Sequence, residues 1–322
     1  MTNIGHQAVI VFFVISGYLV GGSVQRDLEA GRFRVKAYAA HRIARVYSAF
    51  PVALLVGAGV DAFGSHLFDY EAARSLAAPR PELSGAVALI NLVNCQEIIS
   101  PVLGTNSALW SLSYEVWFYV LFAAIAIIAD RGRSCRSRAI GVGVSLAVAW
   151  LIGLMGLSYF AVWLVGASLC RIRRPWIPSV RAAAVVMLVV FFSASPIAYR
   201  WPLKSVEVTV DLVLASAFGN VILAVEAAGG ERSPTATYAR LNKRLAGFSY
   251  SLYLTHVPML ALLAAMMHPL GRPRGGFLVP DPRGVAWMFG LVALSCLYGW
   301  GFAWLTERHT PRLRAWLEKA MG

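Results

Sequence analysis

Charged side chains are scarce in this sequence. They make up 14% of the 322 residues, against roughly one quarter in soluble domains, and that shortage excludes an ordinary water-soluble globule. Cysteine is scarce too. Cys95, Cys135, Cys170 and Cys296 stand in separate segments with no paired spacing, so neither a disulfide framework nor a zinc site is indicated. The apolar/polar alternation over ten-residue segments that marks a transmembrane barrel is missing. Internal repeats, low-complexity tracts and an appended polar domain are missing as well. Residues 1–7 carry no basic run, and the first apolar stretch ends in no small-residue cleavage pattern, so no signal peptide is read.

What remains is apolar. Hydrophobic residues account for 58% of the chain and the mean hydropathy is +0.63. Leu, Val, Ala and aromatic runs recur at the length of about 20 residues that a spanning helix needs, and a helix satisfies its own backbone in lipid. The reading is an all-α, polytopic transmembrane helix bundle, with residues 1–322 forming one integral-membrane domain. Nine spans are expected, at 8–22, 46–60, 109–129, 139–156, 158–170, 182–199, 206–225, 247–268 and 285–305.

The formal net charge of +13 does not indicate nucleic acid, because the basic residues sit in short clusters between apolar runs. With nine spans, 22 of the 29 Lys and Arg fall in the loops 23–45, 130–138, 171–181 and 226–246 and in the tail 306–322. The positive-inside rule makes those loops and the C-terminal tail cytoplasmic, against anionic lipid. The segment 61–108 holds two Asn, a Gln and a Glu in "AVALINLVNCQEIIS". Counting it as a span would turn "DRGRSCRSR" outward, so it is read as an outer loop, partly apolar and dipping into the membrane where protein shields its backbone.

Polar groups within apolar helices are costly, and each calls for a reason. In "LWSLSYEVWFYVLF", Ser111 and Glu115 share a face near Trp110 in the outer half of a helix; Glu115 is either a hydrogen-bond anchor or a functional acid. In "FSYSLYLTHVPML", Ser249, Tyr253 and His256 lie four and three apart on one face, and His256 is either interhelical glue or a proton carrier. Arg42 and Arg45 in "HRIARVY" suit boundary anchoring or bidentate binding of phosphates. Asp211 is read as an acid that snorkels outward.

Taken in order, "VFFVISGYLV", "HRIARVY", "LWSLSYEVWFY", "FSYSLYLTHVP" and "WLTERHTPRL" resemble acyltransferase family 3 across nearly the whole chain. The resemblance implies a ten-helix protein of the bacterial cytoplasmic membrane. It would move an acyl group, commonly acetyl, from cytoplasmic acyl-coenzyme A to hydroxyls of cell-surface polysaccharides, lipid-linked glycans or small molecules. Arg42 and Arg45 would hold the coenzyme phosphates, and Ser16 and Gly17 would allow close approach near the pantetheine arm. Trp110 and Ser111 would face the acceptor, and Glu115 and His256 are the catalytic candidates. "FFVISGY" belongs to the family's second helix. The arginine and presumed basic histidine of the first helix have no counterpart after Met1, and His6 does not occupy that histidine's place. Ser48 stands where the family often has proline. An inactive family member and a secondary transporter are the competing readings, although the paired broken helices of a transporter are not found.

Overall fold

The computed structural model describes residues 4–68, 82–172, 174–229, 236–267 and 282–321. The expected span end at His268 and the part 69–81 of the expected loop 61–108 lie outside them. The described residues form α-helices and short 3-10 turns without a strand, and only two isolated bridges occur among them. The helices are α1 (Ile4–Glu29), α2 (Val35–Tyr47), α3 (Phe50–Leu67), α4 (Gly85–Leu92), α5 (Trp110–Ala129), α6 (Cys135–Ser168), α7 (Val180–Arg200), α8 (Lys204–Gly229), α9 (Ala236–Ala246), α10 (Ser249–Met267), α11 (Pro282–Thr306) and α12 (Thr310–Met321). Eight helical stretches among the described residues are long and apolar enough to cross a membrane.

Eight rather than nine arise because the spans expected at 139–156 and 158–170 fall within α6. Its 34 residues would measure about 51 Å if straight, well beyond a hydrocarbon core of about 30 Å. Gly153 interrupts the helix with φ 64 and ψ −172, a backbone region essentially confined to glycine. The break expected after Gly156 therefore falls three residues earlier, and 135–152 and 154–168 are separate helical segments. Ser134 caps the first of them, its hydroxyl accepting from the Ser137 amide at 3.2 Å.

The chain divides into two compact units, each assembled from two distant stretches: Met1–Phe33 with Trp117–Pro234, and Arg34–Val116 with Thr235–Gly322. In the first unit α1 packs along α6. Gly17 lies so close to the Trp163 carbonyl, and Gly166 to that of Val14, that a Cβ at either would collide with backbone. Small residues at such crossings let helices gain contact through their main chains. Trp163, fully buried, donates its indole N–H to Ser16 Oγ at 3.2 Å. On α8, Asp211 is only 5% exposed, and both its oxygens accept from His6 Nε2, at 2.9 and 3.0 Å. The expectation that Asp211 snorkels outward is corrected: its side of α8 faces α1.

In the second unit α10 packs on α3 and α11, and α12 packs on α2. α3 runs to Leu67, so Asp61, expected at the start of a loop, is a buried residue of a helix. Residues 82–106 turn back along that helix. Leu92 accepts from the Tyr47 hydroxyl at 3.0 Å and Asn94 donates to it at 3.0 Å, although Tyr47 precedes α3 and the segment departs beyond its far end. Asn91 pins the return by donating to the Pro101 carbonyl and accepting from the Leu103 amide, at 2.9 and 2.8 Å. Asp61 then accepts from the amide and hydroxyl of Thr105, at 2.7 and 2.8 Å. Gly104, at φ +69, leaves the carboxylate the space that a Cβ would fill.

Candidate active site

The first turns of α10 gather most of the residues singled out in the sequence. Tyr250 donates its hydroxyl to the Val46 carbonyl at 3.1 Å, and the Arg45 guanidinium lies over its ring at 4.8 Å. Arg45 Nη1 also donates to Glu307 Oε2 at 3.2 Å. The other oxygen of Glu307 accepts from the amide and hydroxyl of Ser251, at 3.1 and 2.6 Å. Arg42, one turn earlier on α2, lies 5.6 Å from the Tyr38 ring. A cation over an aromatic face keeps its N–H edge for other partners.

Three residues further along α10, the Tyr253 hydroxyl donates to the Ala108 carbonyl at 2.6 Å and accepts from Ser111 Oγ at 2.9 Å. Three residues of helix rise only about 4.5 Å. Ser111, expected on the outer side away from the arginines, is thus joined to their level through α10. The cause is the return of 82–106 along α3, which delivers the start of α5 to the start of α10. Trp110 begins α5 and stands edge-on to Tyr114 at 6.0 Å. Glu115, 5% exposed, lies within electrostatic reach of Tyr38, Tyr250 and Tyr253.

One turn beyond Tyr253, His256 donates from Nδ1 to the Tyr253 carbonyl at 2.9 Å. That bond fixes the tautomer and leaves Nε2 with its lone pair, the form able to accept a proton. His256, Ser249, Tyr253 and Ser295 are among the residues lining a cavity of 520 Å³ whose other walls are mainly Leu, Met and Val.

The structure therefore brings Arg42, Arg45, Trp110, Ser111, Glu115 and His256 into one unit. Ser16 and Gly17 belong to the other, where their surroundings are Trp163 and α6. Sequence reasoning missed Tyr38, Tyr250 and Glu307. The signal for Glu307 was present: it is the acid among the basic residues of "WLTERHTPRL", a motif quoted without assigning that carboxylate a partner.

A family model described as an acyltransferase domain, Acyl_transf_3, matches residues 1–305. A curated protein of Haemophilus influenzae, described as uncharacterized, is 32% identical over 124 residues, which cover 37% of this chain and 48% of that protein. The match thus spans about half the length of that relative. No solved structure matches.

Proposed function

This chain belongs to acyltransferase family 3, and from that premise we propose that it transfers an acyl group from acyl-coenzyme A to a hydroxyl of a sugar, glycan or similar acceptor. The observation that carries the reading is the continuous set of contacts from Arg45 through Tyr250 and Tyr253 to Ser111, with His256 one turn further on. Arg42 and Arg45 supply paired guanidiniums for the donor's phosphates. His256 lies six residues beyond Tyr250, about 9 Å along the helix, so a donor anchored at the arginines has its thioester extended along α10.

Transfer requires a base for the hydroxyl proton and donors for the developing oxyanion. As the acceptor oxygen bonds to the thioester carbonyl carbon, His256 Nε2 takes the hydroxyl proton. The C–S bond then breaks, the His256 imidazolium returns that proton to the sulfur, and the coenzyme leaves as its thiol. Ser111 and Trp110 face the acceptor, and Glu115 positions the tyrosines around it. The acyl group is acetyl in this reading. The enzyme resides in the bacterial cytoplasmic membrane with its C-terminus in the cytoplasm, where acyl-coenzyme A is available.

The test is transfer of label from acyl-labelled acetyl-coenzyme A by purified protein in lipid discs, offered membrane glycans from its host. Labelled ester that hydroxylamine releases, and that is lost in His256→Gln with donor binding retained, is the expected result. Failure to bind any acyl-coenzyme A overturns the proposal.

A further inference from the structure

His6, Glu207 and Asp211 bring three ligand atoms within 4.8 Å of one another, outside the unit that holds the candidate active site. The arrangement follows from the helices. Glu207 and Asp211 are four residues apart on α8 and so lie on one face, and α1, packed on α8, presents His6 from its first turn. The side chain of Asp211 is 7% exposed and that of His6 15%. Tyr159 walls the group, its ring 6.1 Å from that of His6. The nearby cation is Lys204, whose Nζ donates to Glu207 Oε2 at 3.0 Å and lies 5.9 Å from the Tyr159 ring.

The geometry points to a divalent transition-metal site, with His6 Nε2 and one oxygen each of Glu207 and Asp211 as ligands. Two carboxylates held this close in an apolar bundle repel each other and are costly to desolvate. An imidazole and one half-exposed ammonium offset them incompletely; a divalent ion offsets both. One imidazole with two carboxylates is a donor set for zinc, manganese or cobalt rather than for magnesium or calcium, which favour oxygen alone. The proton that His6 Nε2 shares with Asp211 occupies the metal's place, so binding moves it to Nδ1 or releases it. Lys204 then gives up Glu207, at little cost because an exposed ion pair is weak. Three protein ligands leave a fourth position open to water, and the ion ties α1 to α8.

The experiment uses tag-free protein in detergent, stripped with a chelator and titrated with Co2+, whose visible absorption reports coordination, and then with Zn2+ in competition. One equivalent of Co2+ is expected to bind, to be displaced by Zn2+, and to raise the thermal midpoint. His6→Gln, Glu207→Gln and Asp211→Asn should each weaken binding by more than about tenfold, whereas Lys204→Ala should bind as well as the parent or better. Glu207 is the most exposed ligand, so Glu207→Gln decides the matter if Asp211→Asn does not fold. No saturable binding by the parent, or affinity unchanged in Glu207→Gln, overturns the inference and leaves an interhelical hydrogen bond.

Discussion

Asn106 donates from Nδ2 to the carbonyl of Leu254 at 2.8 Å, and Leu254 stands four residues before Pro258. Proline has no N–H, so this carbonyl, inside α10, is left without its helical donor. Asn106, buried at the end of the returning segment, takes the place of the missing amide.

Removing that donor should be costly only while proline is present. Asn106→Ala is expected to destabilise by about 1–3 kcal/mol, the cost of a buried acceptor left unpaired. Asn106→Ala with Pro258→Ala should recover part of the loss, because an amide at 258 can serve Leu254. Denaturant unfolding in detergent of the four proteins of this cycle measures the coupling. Additive effects would separate the two residues.

The paired arginines distinguish a donor site from a boundary anchor. Arg42→Lys and Arg45→Lys keep the charge but lose the planar fork, so acyl-coenzyme A affinity should fall by about 1.5–3 kcal/mol, or roughly ten- to a hundredfold. An anchor needs only the charge. Equilibrium binding to purified, folded variants checks this, and unchanged affinity in both would return the pair to anchoring.

The break at Gly153 makes a topological prediction. Cys135, which begins α6, and Cys170, two residues past its end, are free and exposed, and two crossings joined at Gly153 put both on the cytoplasmic side. With Cys95 and Cys296 replaced by serine, an impermeant maleimide applied to intact cells should label neither, and a permeant one both. Impermeant labelling of one and not the other would make α6 a single crossing.

Between α5 and α6, Asp130 accepts from the Gly132 amide and from Arg133 Nε, both at 3.0 Å. The amide and then the guanidinium hold its carboxyl below the ordinary value of 3.8. A depressed acid contributes stability above its unfolded value and loses it as pH falls through the folded one. Asp130→Asn should therefore melt slightly below the parent near neutral pH. The gap should close as pH drops below 3.8, a comparison that thermal scans across the acid range provide. A gap that persists in strong acid would mean that charge is not its source.

The helices were legible because apolar length is a property of composition: α5 matches its expected span to within one residue, and α7 and α8 extend theirs by only a few. The division of α6 was legible as a division, but its position was not. Gly153 and Gly156 look alike in sequence, and only packing decides which adopts positive φ; Gly156 stays helical and buried. For the site, motif order singled out Arg45, Ser111 and His256, which lie in one unit. It failed to bring Ser111 near Arg45, because a loop that returns along its own helix has the composition of one that does not. Asn91 and Asn94 read as polar interruptions, whereas each is a hydrogen-bonded support for that return, as is Asn106.

The same return sets a problem of timing. Asn106 and Leu254 are 148 residues apart, and synthesis proceeds at about 5–20 residues per second. Asn106 thus leaves the ribosome roughly 7–30 s before its acceptor exists. Throughout that interval the segment around Asn91, Asn94 and Asn106 has α3 to lean on but not α10. Assembly of this unit is therefore obliged to wait for its later helices, and the emergence of α10, rather than insertion of α3, starts the clock on its completion.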